Sequence, residues 1–180
     1  MGHSLYFVRH GQTVWNVENK ICGATDIPLT ELGRQQAMET GRAILDQGIH
    51  ADEILYSPLE RAADTARYIS EITGIPARAE QRLTEQNFGK WESTARDGLE
   101  FRAAKGAFAC RYDGGESMLH LAQRVYNLLD ELKARPDRTY LLVAHTGISR
   151  MVHSYFYEMT NEEFAAFGVK NCAVLRYDFD

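Results

Sequence analysis

The sequence predicts an α/β layered fold built on a mostly parallel sheet, and three observations predict it. Short continuous apolar runs at Leu5–Val8, Ile54–Tyr56 and Tyr140–Ala144 read as strands buried on both faces, because a half-exposed strand would alternate. Amphipathic helical stretches separate these runs, which is the rhythm of crossover connections between parallel strands. The chain has 180 residues, 44% of them hydrophobic and 25% charged. That is the size and balance of one globular unit able to bury about 70% of its unfolded surface.

Each helix carries its own signals. Thr30 is a good N-cap for a first helix through "PLTELGRQQAMETGRAILDQG", whose apolar face is weak and which should stop at Gly48. In "YSPLERAADTARYISEITG", Ser57 reads as the cap, Pro58 suits the first helical position, and Glu60 completes a capping box. Leu59, Ala62, Ala66, Ile69 and Ile72 then recur at spacings of three and four, and Gly74 can close the helix. A third helix has the stripe Met118, Leu121, Ala122, Val125, Leu128, Leu129 and Leu132, ended by Pro136. A last helix is expected from about Ile148 to Met159, and "CAVLRYDF" alternates like a half-exposed edge strand. The segment 88–115 breaks the rhythm and reads as a helical excursion over one end of the sheet.

Composition narrows the partners. A net charge of −5 argues against nucleic acid or an acidic membrane as the main partner, while leaving room for a local cationic pocket. No apolar stretch has membrane-spanning length, and "MGHSLYFVRH" lacks the parts of a signal peptide. Cys22, Cys110 and Cys172 form no C-x-x-C pair, so reduced thiols in the cytoplasm are the expectation. The edge strand near the C-terminus could pair with a second copy to give a homodimer.

The chemistry gathers at strand ends. In parallel α/β sheets, ligands bind outside the carboxyl ends of the strands. There the first strand ends in Arg9-His10-Gly11, the third in His145, and the helix after the second places Arg61 in its first turn. Two arginines, two histidines and free helix N-terminal amides describe an oxyanion pocket, with phosphate as the occupant. Taken singly, each of these histidines and Arg61 would be an ordinary structural or surface residue; the joint placement carries the reading. Other phosphate chemistries lack their residues: there is no G-x-x-x-x-G-K-[ST] loop, no cysteine six positions before an arginine, no paired aspartates in "DIPLT" and no H-E-x-x-H. No metal is required by any of these groups. That leaves histidine as the nucleophile.

Five ordered stretches then resemble the histidine phosphatase superfamily, the group that contains cofactor-dependent phosphoglycerate mutases and many small phosphatases. They are "VRHGQTVWN", "ICGATDIPLTELGRQQA", "YSPLERAADTA", "LTEQNFGKWE" with "GGES", and "VAHTGISR", which together cover nearly the whole chain. The resemblance implies a three-layer α/β/α sandwich, phosphoglycerate mutase-like, as one unit over 1–180. It implies His10 as the phosphorylated nucleophile, with Arg9, Arg61 and His145 clamping the phosphoryl oxygens and Asn16 assisting. Glu85 would be the general acid, protonated when it donates, which favours mildly acidic over strongly alkaline pH. Cys22 and Gly23 match a substrate-contacting loop, and the Thr146 amide or hydroxyl could reach phosphate.

Two departures accompany the resemblance. Relatives commonly carry glycine where this chain has Thr146, and a positive φ there would strain a β-branched residue. "WES" replaces a common glycine after the glutamate, so a local loop change is expected. The short stretch between Glu85 and "GGES" resembles the small phosphatases more than the longer mutases. The implied reaction is therefore hydrolysis of a small phosphorylated metabolite without a cofactor. The alternatives are a mutase, which would need 2,3-bisphosphoglycerate, and a non-catalytic phospho-ligand module.

Overall fold

The computed structural model describes residues 3–180. Met1 and Gly2, part of the stretch read for a leader segment, lie outside them. Five strands form one sheet: β1 (Ser4–Arg9), β2 (Glu53–Tyr56), β3 (Ala77–Ala79), β4 (Tyr140–Ala144) and β5 (Val174–Asp178), in the order β3-β2-β4-β1-β5. All neighbours run parallel except β5, which lies antiparallel against β1 at one edge. The helices are α1 (Val14–Val17), α2 (Glu31–Asp46), α3 (Glu60–Thr73), α4 (Leu99–Lys105), α5 (Met118–Lys133), α6 (Thr146–Phe156) and α7 (Asn161–Ala166).

The buried strands divide their side chains between two helical layers, the period-two consequence of the pleat. Tyr140, Leu142 and Ala144 of β4 join Leu5 and Phe7 of β1 in a core with α5 and α6. Leu141 and Val143 face the other way, with Val8 and Ile54, against Ile44 of α2 and Ala66 and Ile69 of α3. Burial on both faces is why these runs read as continuous apolar stretches. The weak apolar face of α2 has a steric reason. It buries Gly33, Ala37, Thr40, Gly41 and Ile44, all but the last small, and at Gly41 an added Cβ would come to 3.1 Å from Ile72 on α3.

Several elements differ from the sequence reading. Ser57 does not cap α3: the N-cap is Leu59, with no side-chain bond of its own, and Asp26 Oδ1 accepts from the Glu60 amide at 2.7 Å instead. Strand β3 was not expected, because its three residues are all exposed and carry no apolar signal. The last helix begins at Thr146 and ends at Phe156, two residues before and three short of the expected bounds, and α7 follows with its own Thr160–Glu163 capping box. The 88–115 excursion contains a 3-10 turn (Gly89–Trp91) and α4, held by a small core of Ile21, Phe88, Phe101 and Tyr112. No described helix is long and apolar enough to cross a membrane.

Register positions the site. Arg9 of β1 pairs with Ala144 of β4, and Tyr56 of β2 pairs with Val143. The residues just beyond the three strands, His10, Ser57 and His145, therefore emerge side by side at one end of the sheet.

Candidate active site

His10 leaves the end of β1 almost fully buried, at 4% exposure. Its Nδ1 donates to the Gly11 carbonyl at 2.7 Å, as a carbonyl partner requires, which fixes the tautomer and leaves Nε2 with its lone pair. The Gly11 amide is itself held by Thr65 Oγ1 at 3.0 Å, and Asn171 Nδ2 donates to the His10 carbonyl at 2.8 Å. Burial lowers the proton affinity of His10 well below that of an ordinary imidazole, and the nearby Arg61 and Arg9 charges lower it further. His10 is thus a neutral, oriented imidazole.

His145 caps α6 from the end of β4, with its ring centroid 5.2 Å from that of His10. Its Nε2 lies 2.7 Å from Ser57 Oγ, and Ser57 Oγ also accepts from the Leu59 amide at 3.4 Å. Ser57 Oγ can give its own hydrogen to Nε2, the tautomer that leaves Nδ1–H as the buried, unpartnered donor of the neutral ring. Burial, followed by Arg61, likewise keeps His145 below the usual imidazole range.

Arg61 is 1% exposed, and its Nη1 and Nη2 donate to the carbonyls of Thr25 and Gly23 at 2.9 and 2.7 Å. Arg9 donates from Nη1 to the Val169 carbonyl at 2.6 Å. Burial, with Arg96 second, lowers its pKa to about 10. Four buried side-chain polar atoms lack a partner among the described residues, and three of them belong to this group: Arg9 Nε, Arg61 Nε and His145 Nδ1. An unsatisfied buried donor costs about 1–3 kcal/mol. Three of them around one neutral imidazole form a nest that an oxyanion would satisfy.

Glu85 stands on the loop after the 3-10 turn Gln81–Leu83, 5% exposed. Its Oε1 accepts from the Gln86 amide at 2.9 Å and its Oε2 from the Gly147 amide at 2.8 Å. The carboxyl group is therefore fixed at the N-terminus of α6. Thr146 is the first residue of α6 and is absent from the non-glycine residues with positive φ, so the feared strain does not arise. At the other departure Ser93 takes a left-handed φ of 67°, the region that favours glycine.

A cavity of about 70 Å³ adjoins these groups, lined by Arg9, His10, Asn16, Cys22, Glu85 and Thr146 together with Arg96, Lys105 and Arg150. Arg61, His145 and Gly23 are not at its wall; the His145 ring lies beside that of His10, centroids 5.2 Å apart, and the Arg61 charge acts on both. Asn16 Oδ1 accepts from the Thr13 amide at 3.0 Å, which leaves the Asn16 amide group as its free end. Burial pushes the Cys22 thiol up to about 11, so it offers a neutral wall. Gly23 is committed to structure: its amide donates to Glu92 Oε2 and its carbonyl accepts from Arg61.

Sequence reasoning missed three groups. Ser57 was assigned to a helix cap, Glu92 was noted only beside a missing glycine, and Arg150 was not singled out. For Arg150 the available signal was its place one helical turn beyond the residues that follow His145. Of the excursion's basic residues, Arg96 and Lys105 reach the cavity wall, whereas Lys90 pairs with Asp113 at 3.3 Å. Ser117 is the N-cap of α5, its side chain accepting from the His120 amide. Among the described residues no three His, Cys, Asp or Glu side chains gather as a metal site.

Comparison with known proteins gives a concordant picture. The pattern of the histidine phosphatase superfamily (branch 1) matches residues 5–180. The probable phosphoglycerate mutase GpmB of Erwinia tasmaniensis is 32% identical, over 97% of this chain and 84% of its own. The mycobacterial glucosyl-3-phosphoglycerate phosphatase has a similar structure, with a TM-score of 0.82 at 30% identity over 98% of this chain and 90% of its own. That protein has also been solved with VO3 and with inorganic phosphate. The alpha-ribazole phosphatase of Shigella flexneri superposes with a TM-score of 0.83 at 26% identity, over 98% of this chain and 91% of its own.

Proposed function

The chain belongs to the histidine phosphatase superfamily, and from that premise we propose that it is a metal-independent phosphomonoester hydrolase working through a phosphohistidine at His10. The observation that carries the reading is the set of unpartnered donors on Arg9, Arg61 and His145 around a neutral His10 whose Nδ1 is already engaged. Phosphoryl transfer is largely positioning and charge stabilisation, and fixed cations around the equatorial oxygens provide both.

In the first step His10 Nε2 forms a bond to phosphorus as the bond to the leaving oxygen breaks, and protonated Glu85 gives that oxygen its proton. In the second, water attacks the phosphohistidine, the Glu85 carboxylate takes the water proton, and the N–P bond breaks to release phosphate. The Asn16 amide and the Thr146 amide or hydroxyl add donors at the cavity wall. A Cys22 contact would be that of a neutral thiol, and Gly23 would act through Arg61.

Relatives named as phosphatases of phosphorylated metabolites support hydrolysis. A second reading, a bisphosphoglycerate-dependent mutase, is favoured by the name of the relative from Erwinia tasmaniensis. Conversion of 3-phosphoglycerate to its 2-isomer, stimulated by bisphosphoglycerate and faster than phosphate release, would establish it instead. For the hydrolase, an aryl phosphate should turn over undiminished in excess chelator, and His10→Ala should lose at least about 10³-fold in kcat. Turnover that survives in His10→Ala, or that dies in chelator, overturns the reading. A non-catalytic module would bind phosphate without turning over the ester.

A further inference from the structure

The 70 Å³ cavity at His10 is about five times what one water needs, enough for a phosphoryl group and little of its alcohol. A second cleft of about 540 Å³ adjoins it between α4 and α7, and Arg96, Phe101 and Lys105 line both. That volume is in the range of small-ligand sites. We propose that this outer cleft is the leaving-group subsite, taking phosphomonoesters whose alcohol portion has an apolar face and carries a second anionic group, with Arg96 and Lys105 selecting that group. The inference rests on the hydrolase reading and extends it to the class of substrate.

The first argument is the surplus of positive charge. On the hydrolase reading Arg9, Arg61 and His145 hold one phosphoryl group, yet Arg96, Lys105 and Arg150 also stand at the cavity beside His10, and Arg102 at the outer cleft. Among the described residues, no carboxylate lies within 4.0 Å of any of these four, although nine other Lys and Arg side chains have such a partner. Their recorded bonds go to carbonyls: Arg96 Nη2 to Lys20 at 2.8 Å and Arg150 Nε to Phe167 at 2.9 Å. Burial first, and then the Arg150 and Arg96 charges, bring the Lys105 ammonium down to about 8, against the opposing pull of Glu85. Glu85 faces this group, but its oxygens are held by the Gln86 and Gly147 amides. The carboxylate that lines the outer cleft, Glu162, is an exposed side chain on α7.

The second argument is the wall between those charges. Phe101 lies beneath Lys105, whose Nζ is 5.8 Å from the ring centroid, and Phe108 packs edge-on against Phe164 at 5.8 Å. Phe101 is itself buried in the excursion's core, so the apolar wall open to a ligand is the half-buried Phe108. An alcohol with only hydroxyls would leave that ring facing water and the cations unpaired, whereas a body with a flat apolar face would cover it while its anionic group reached Arg96 and Lys105.

The test compares phenyl phosphate with phenyl phosphate carrying a ring carboxylate. Wild-type kcat/KM should favour the carboxylated ester by at least tenfold. That preference should fall at least fivefold in Lys105→Met and in Arg96→Gln, a ratio that does not depend on how much of the variant is folded. Equal efficiency on the two esters in the wild type, or a preference unchanged in both variants, overturns this proposal alone. Absence of His10-dependent hydrolysis of either ester overturns the hydrolase reading, and this proposal with it.

Discussion

A methyl group added at Gly147 would meet Glu85 Oε1 at 2.3 Å. The obstacle is the end of a side chain, so the fold can yield where the chemistry cannot. Gly147→Ala should leave thermal stability within about 1 kcal/mol, yet lower kcat by roughly tenfold or more on an alkyl phosphate by displacing the acid. An aryl phosphate, whose leaving group needs less protonation, should suffer less. Equal losses on both esters would mean that Glu85 is not the proton donor. At this scale the meeting of His10 and His145 was legible, because R-H-G and A-H-T sit at the ends of apolar runs. Ser57 was not: "SPLE" has every local mark of a helix cap, and its partner His145 lies 88 residues away. Local pattern cannot register a competitor that only the sheet brings near.

The loop Gly23–Thr25 shows what an element-level connection does. One carboxylate, Glu92, accepts from the amides of Gly23 and Ala24 at 3.0 Å each, from Thr25 Oγ1 at 2.8 Å and from the Phe88 amide at 3.1 Å. The carbonyls of Gly23 and Thr25 in turn hold Arg61. Glu92 therefore ties the excursion to the arginine beside His10. Glu92→Gln replaces an acceptor with a donor facing N–H groups, and should cost about 1–3 kcal/mol. It should also weaken inhibition by inorganic phosphate. A chemical-denaturation midpoint unchanged by the substitution would contradict the tie. The sequence showed the helices whose apolar stripe was long, α3 and α5. It hid β3, whose three residues are all exposed, and the start of α3, whose cap comes from Asp26 in a distant loop.

Taken as a whole, the molecule gathers Arg9, Arg96, Lys105 and Arg150 around one cavity at an end of the sheet despite a net charge of −5. The sheet order puts β1, β4 and β2 next to one another, so two histidines titrate in one buried place. Both are held neutral, below the ordinary value of about 6.5 that they regain in the unfolded chain. Below that pH the unfolded chain binds protons that the folded chain refuses, so stability falls as pH drops through 6.5 toward the folded values. The slope should reach about 1.4 kcal/mol per pH unit for each of the two groups. Denaturation between pH 7.5 and 5 should show a smaller loss in a His10→Asn, His145→Asn double variant; an equal loss would place the sensitivity elsewhere. Burial is the larger cause of the neutral form and the neighbouring charges the smaller, and the three-dimensional packing that creates that burial is what composition could not display.

The most direct measurement is a rapid alkaline quench of the enzyme during turnover of an aryl phosphate, followed by peptide mapping. A good leaving group makes phosphoryl capture fast and its hydrolysis limiting, so the intermediate accumulates. The predicted result is one acid-labile, alkali-stable phosphoryl group on Nε2 of His10. Label on His145, or steady turnover with no label on any histidine, would contradict the account.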